Sequence, residues 1–558
     1  MQDQVEVLVA GAGPVGLTAA LELARRGVRV RVVDGAVGPA VTSRAIAVHP
    51  RTLETYDQMG VLEEMSRRMQ RITAFTVFAG GRRVIRLDAD YSASPTRFPF
   101  STTIDQVLTE EVLREALTAA GVPIEWSVRL ESFEQDDSGV RAELARPDGS
   151  RERLDVPWLI GADGGHSTVR KQLGLPLLGD ANETWLLADA EVSTTIPRNS
   201  IYLIRAEGTM LMMAPMPGGS RWRMLDTADV SYDGDAKMVA DRFSRKLTAG
   251  LGHEVKVAEP NWVSVFTAQQ RMVPAMRAGR CFVAGDAAHV HSPASGQGMN
   301  TGIQEAYNLA WKLAMVIHGH AGDRLLDSYG AERVPIGAEL LDSTRKATKL
   351  VALRNALAGV ALPIVFGLAR RVPPLRIKMQ RTALGRVAGL GVRYPKSALT
   401  GTDEPGRVSG PAPGERVTQV LPEAAASAGW REFVAELREP NWTLLVFPTA
   451  EDTGTDGPEG GAELVARQAE RDHGAWLTVR TATPDGMAGP GPLADPGAAL
   501  RTGLGARDGS WLLVRPDGYL AARGNGLTMP ALDRALAPIG PRTASRTAPE
   551  TVEPLAGT

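Results

Sequence analysis

The stretch "VEVLVAGAGPVGLTAALELARRGVRVRVVD", Val5 to Asp34, reads as strand, helix, strand. Its apolar opening "VEVLVAGAG" ends in glycines, residues Leu17, Ala20, Leu21 and Ala24 then recur at helical spacing, and "GVRVRVVD" returns as a second strand. Between the first strand and the helix stands Gly11-Ala12-Gly13-Pro14-Val15-Gly16, the G-x-G-x-x-G pattern in the context that gives it meaning. Gly11 permits a tight turn, Gly13 lets backbone amides approach a pyrophosphate, and Gly16 lets the helix lie close on the strand. The helix N-terminus beyond the turn favours an anion. Asp34 ends the second strand, where a carboxylate can accept hydrogen bonds from a ribose hydroxyl. The pattern predicts a dinucleotide site, with a purely structural glycine turn as the alternative. FAD and NAD use the same turn, so this stretch alone does not choose between them.

Two later segments do. "GADGGHSTVR" (Gly161–Arg170) and "GDAAHVHSPASGQGMN" (Gly285–Asn300) each follow an apolar strand and carry an aspartate, Asp163 or Asp286, where the chain turns towards a helix. Three such turns suit FAD, which has phosphates, a ribitol and a flavin to anchor separately. Between them, "FTVFAGGRRVIRLDA" reads as a hairpin turning at Gly80-Gly81, and "TIDQVLTEEVLREALTAAG" as an amphipathic helix ending at Gly121. From about 180 to 270 the segments "SIYLIRAEG", "TMLMMAPMP", "RWRMLDTA" and "NWVSVFTAQQ" read as sheet strands. After the third turn, Ile303, Ala306, Leu309, Leu313 and Val316 mark a helix stripe, and helical patterns continue to about 390. "GTDEPGRVSGPAPGERV" (401–417) reads as a linker, 450–462 as a mobile loop, and "TLLVFP", "AWLTVRT" and "SWLLVRPDGYLAAR" as strands of a smaller α/β unit.

With 558 residues, the chain exceeds one ordinary core. A net charge of −2 provides no electrostatic basis for nucleic acid or an anionic membrane as partner. The single cysteine, Cys281, excludes an internal disulfide and fits a reducing cytoplasm. The apolar run Ala356–Ala369 is too short to span a bilayer and contains Pro363, so it reads as a buried helix, with monotopic membrane contact as the lesser reading. His289 and His291 lack nearby carboxylate or cysteine partners in sequence and predict no metal; His289 reads as a turn residue.

With these three motifs in order, residues 4 to 390 resemble the single-component, group A flavoprotein aromatic hydroxylases, the family of para-hydroxybenzoate hydroxylase, in the style of bacterial hydroxylases of aromatic polyketides in antibiotic biosynthesis. The resemblance implies an α/β fold with a Rossmann-like FAD-binding domain in two parts, 1–178 (with 75–100 joining the substrate sheet) and 271–400, the latter with a helical segment. It also implies an inserted, mainly β substrate domain at 179–270, a linker at 401–416, and a thioredoxin-like domain at 417–558 that lacks CxxC. Gly11, Ala12, Gly13, Val15 and Gly16 would hold the pyrophosphate, Asp34 the adenosine ribose, and Arg44 the ribose and phosphates. Gln106 and Leu130 would lie near the cofactor, Asp163 would serve FAD and NAD(P)H, and Asp286 the ribitol and pyrophosphate region. Pro293 would flank the isoalloxazine, Gly296 would leave its edge open, and the amides of Gly298, Met299 and Asn300 would face the N1–O2 edge. Departures from the family pattern are Ser295-Gly296 for a glycine pair, Glu305 for an aspartate and His166 for an arginine.

The implied activity is hydroxylation of an aromatic, polycyclic polyketide by NAD(P)H and O₂ through a C4a-hydroperoxyflavin, with NADPH the favoured reductant and a homodimer the family's habit. No catalytic side chain is assigned, since the flavin carries the chemistry. Baeyer–Villiger oxygenation on the same scaffold and a flavin oxidoreductase that inserts no oxygen are the alternatives. Met212, Trp222 and Met224 are candidates for the surface under a planar substrate, or ordinary core of a half-buried sheet; alternation does not say which face turns inward.

Overall fold

The computed structural model describes residues 4–290, 296–352, 388–401, 409–449, 461–487 and 489–540. The apolar run Ala356–Ala369, the segment holding His291, Pro293 and Ser295, and most of the 450–462 loop lie outside these residues.

Strand β1 (Val7–Ala10), helix α1 (Pro14–Ala24) and strand β2 (Val30–Asp34) form the expected opening unit. β1 is fully buried, and its register places Ala10 between Val33 of β2 and Gly161 of the strand Trp158–Gly161. That strand in turn pairs in parallel with Cys281–Val283, inside a six-stranded sheet. Because adjacent parallel strands end at the same level, all three glycine turns leave the sheet side by side at its carboxyl edge, where ligands of open α/β sheets bind. Backbone bonds hold them there: Gly11 N donates to Val33 O (2.9 Å), Ala162 N to Ala10 O (2.8 Å) and Ala284 N to Gly161 O (3.0 Å).

The strands Leu178–Ser193, Ser200–Ala206, Thr209–Pro215, Arg221–Asp226 and Trp262–Met272 build a second sheet, which the hairpin Ala74–Ala79/Arg82–Asp88 extends at one end. The region 180–270 also contains a helix that the strand-only reading did not foresee, Ala236–Leu251. Asp235 caps it by accepting from Met238 N, and its Val239, Phe243 and Leu247 are fully buried against one face of the sheet.

Of the stretch read as a linker, 402–408 lie outside the described residues, while Pro411, Pro413, Gly414 and Arg416 are buried. Arg416 bridges Tyr519, and Gly414 N donates to Leu520 O at 2.7 Å. The C-terminal unit is a five-stranded mixed sheet in the order Pro492–Ala494, Leu477–Thr483, Trp442–Val446, Ser510–Val514, Leu520–Asn525. It shares a core with the first unit: Trp311 and Met315 of the long helix Gly298–Ile317 pack among Trp442, Leu444 and Trp511.

Candidate functional site

The first turn has the clearance that a pyrophosphate cradle needs. Gly11 adopts φ +105°, and a Cβ there would stand 2.3 Å from Ala162 O; one on Gly16 would stand 1.9 Å from Gly11 O. At Gly13 a Cβ would meet nothing within 4 Å, so the space above the first amides of α1 is open. Both oxygens of Asp34 are engaged by backbone, accepting from Ala12 N (2.7 Å) and Ala36 N (2.8 Å), and each keeps capacity for a ribose hydroxyl. Val15 sits where the turns meet: Gly285 and Gly302 lack side chains beside its methyl groups, which a Cβ would approach to 2.7 and 2.6 Å.

Asp163 accepts from Thr168 N (2.7 Å) and Val169 N (3.3 Å) through Oδ2, while its Oδ1 is buried with no hydrogen-bond partner among the described residues. Asp286 is exposed in a run where Gly285, Ala287 and Ala288 are buried, so its carboxylate points out of the sheet edge. An orphaned acceptor, an outward carboxylate and an open glycine cradle at one edge fit the hydroxyl-rich backbone of FAD.

Gln106 Oε1 accepts from Ala45 N at 3.1 Å and so fixes the 43–49 loop; Arg44 in that loop is exposed. Leu130 is enclosed in the main core with Val128 and Leu144. Gly296, at φ +62°, passes so close to Ala47 that a Cβ would lie 2.6 Å from the alanine methyl. The long helix starts at Gly298 without a side-chain cap, which leaves the amides of Gly298, Met299 and Asn300 without intrahelical acceptors. The Asn300 side chain is spent on structure, accepting from His49 N (2.9 Å) and donating to Ala47 O (2.8 Å) and Gly296 O (2.7 Å). Pro293 lies outside the described residues.

The three candidates for the substrate surface separate. Trp222 and Met224 belong to the core between sheet and helix Ala236–Leu251, on the face turned away from the glycine turns. Met212 stands on the opposite face, against Trp185, Leu187 and Leu225. That face carries Arg223, whose Nη1 and Nη2 donate to Arg44 O and Ser43 O (both 2.7 Å) and whose guanidinium pairs with Asp189 at 2.6–2.7 Å. It therefore faces the 43–49 loop.

His289 is not a turn residue. It is buried in a short strand, with Nε2 2.8 Å from Glu305 Oε1, while Glu305 Oε2 accepts from Gly285 N (2.9 Å). Burial alone would push the imidazole down, but the Glu305 carboxylate, with Asp286 beyond it, brings it above its ordinary value. Glu305 shifts below its own range, since His289, Arg333 and the Gly285 amide outweigh its burial. A raised histidine contributes stability below its unfolded pKa and loses it as pH rises through the folded one. The thermal midpoint of the wild type should therefore exceed that of Glu305→Gln most at pH values below the ordinary histidine value of about 6.5, and the difference should shrink as pH rises above it. Neither this pair nor Arg223–Asp189 has a local signal, because the partners stand 16 and 34 residues apart.

Comparison with known proteins agrees with this geometry. The FAD binding domain family matches residues 4–344. The chain is 50% identical over 527 residues to the 6-methylpretetramide 4-monooxygenase of Streptomyces rimosus, covering 94% of this chain and 91% of that protein. It is similar to the solved anhydrotetracycline hydroxylase from Streptomyces rimosus, with TM-score 0.72 and 28% identity over 97% of this chain and 100% of that one. A flavin-dependent monooxygenase solved in complex with FAD and substrate gives TM-score 0.75 and 25% identity over 96% and 98%. The glycine turns, the orphaned Asp163 oxygen and these full-length matches lead to one assignment: the chain belongs to the FAD binding domain family and is an FAD-dependent monooxygenase.

Proposed function

We propose that this enzyme hydroxylates a fused-ring aromatic polyketide, using NAD(P)H and O₂. The carrying observation is the sheet face that holds the 43–49 loop through Arg223. On the same face Leu187 and Leu225, buried, and Met212, Trp262 and Phe266, half-buried, form an apolar and aromatic cluster, the side-chain chemistry that lines sites for planar ligands. The relatives named above act on a pretetramide and an anhydrotetracycline, which supports the same substrate class here. Bound FAD supplies hydride acceptance and oxygen activation. The chain's own residues bind and orient. Gly11, Gly13 and Gly16 hold the pyrophosphate, Asp34 the ribose, and Asp163 and Asp286 the polar chain between phosphate and ring. The helix end at Gly298–Asn300 offers positive potential to negative charge on the ring edge.

NADPH is the preferred reductant in this reading, the C-terminal unit is thioredoxin-like, and the enzyme works in the cytoplasm, where Cys281, buried and pushed up to about 12, stays inert. Among the described residues no helix is long and apolar enough to cross a membrane. The test is turnover with NADPH, ¹⁸O₂ and a panel of polycyclic phenols and quinones. One labelled oxygen on a ring carbon is the expected product. Label within a new lactone would move the assignment to Baeyer–Villiger chemistry, and turnover without label would overturn oxygen insertion.

A further inference from the structure

The turn Pro516-Asp517-Gly518 of the C-terminal unit reaches both helices that carry the cofactor loops. On the long helix Gly298–Ile317, Tyr307 Oη donates to Pro516 O (3.2 Å), and Asn308 Nδ2 and Trp311 Nε1 both donate to Asp517 Oδ2 (3.2 Å each). On α2 (Pro50–Gln58), Arg51 Nη2 donates to the Asp517 carbonyl at 2.9 Å. Arg515 donates to both Asp517 oxygens (3.0 and 2.6 Å) and to both oxygens of Glu332 (2.6 and 2.9 Å). Glu332 also accepts from Lys312 Nζ at 2.8 Å. Two cations and two carboxylates thus neutralise one another, all buried.

The same two helices meet again at the 43–49 loop, beside the proposed flavin site. His49, which precedes α2, donates its N–H to Asn300, and Asn300 holds Ala47 and Gly296. They are joined at the flavin end by Asn300 and farther along by Asp517. We propose that the Asp517 turn is a positioning element of the flavin site, fixing the N-terminus of the long helix against the 43–49 loop. A buried ion cluster is a poor stabiliser beside apolar packing of equal volume, but it admits few geometries. This gives the C-terminal unit, which lacks CxxC, a role in the reaction centre. The inference rests on the FAD assignment.

The test compares Asp517→Asn, Trp311→Phe and Leu512→Ala in the full-length chain. Leu512 lies in the core on the far side of the C-terminal sheet, among Trp430, Phe433 and Leu504. The readouts are FAD affinity of the apoprotein, flavin midpoint potential, and the fraction of NADPH oxidation recovered as product. At matched loss of thermal stability, Asp517→Asn should weaken FAD about tenfold, lower the potential and uncouple turnover. Trp311→Phe, which loses one donor and keeps an aromatic ring, should shift all three in the same direction by less. Leu512→Ala should leave them at wild-type values. Equal flavin losses in Leu512→Ala and Asp517→Asn, or none in Trp311→Phe where Asp517→Asn does not fold, would overturn the proposal. A wild-type chain that binds no FAD would instead overturn the cofactor assignment.

Discussion

The Gly13→Val chain is expected to fold normally and to emerge without flavin. Gly13 caps α1 with φ −75° and ψ −179°, an extended conformation open to any residue, and its side-chain position faces empty space. A Cβ there has no protein atom within 4 Å, so the branched group extends into the open space beside the start of α1, where the phosphate would sit. Two charge-assisted hydrogen bonds to a phosphate are then lost, which corresponds to a fall in FAD affinity of about 100-fold or more. Titration of apoprotein with FAD by flavin fluorescence, alongside thermal unfolding, separates binding from folding. Gly11→Ala should behave differently and lose stability itself, because its φ of +105° and the 2.3 Å approach to Ala162 O leave no space for a side chain. Wild-type FAD affinity in Gly13→Val would remove this turn from the site.

Arg223→Met should cost about 3–5 kcal/mol of stability, because it strands a buried carboxylate. Arg223 and Asp189 are buried, bidentate at 2.6–2.7 Å, and the guanidinium lies 4.9 Å over the Trp262 ring. Methionine replaces the stem but leaves Asp189 without its cation and the Ser43 and Arg44 carbonyls without donors. Urea unfolding gives the loss directly, and the double change with Asp189→Asn should recover part of it. A single-variant loss below about 1 kcal/mol would show that water replaces the guanidinium and that the loop does not depend on it.

The three turns were legible because each is local: apolar strand, glycine, aspartate and helix succeed one another within a dozen or so residues, and the parallel register then brings them together. The helix Ala236–Leu251 left a readable signal as well, Asp235 before a stripe of Val239, Phe243, Leu247 and Leu251, in a region read as strands alone. The inner face of the second sheet was not legible. Both of its faces are engaged, one by that helix and one by the 43–49 loop, so Trp222 and Met224 on one side alternate with Arg223 and Leu225 on the other without a solvent-exposed polar face to orient them. The ion cluster around Glu332 and Arg515 lies beyond sequence reasoning for a simpler reason: its two halves, Lys312 with Glu332 and Arg515 with Asp517, meet across 183 residues between Glu332 and Arg515.

The first sheet also determines how this chain must be made. β1 emerges early, but its inner neighbour Trp158–Gly161 follows some 150 residues later and the strand beyond that, Cys281–Val283, later still. Long-range parallel pairing is slow, and until it closes, Leu159 and Ile160 expose an apolar edge that other chains can join. Fragments ending between about residues 170 and 280 should therefore aggregate as they are synthesised. The vulnerable period of production is the middle of translation, when cooler growth or chaperone supply should raise the yield most.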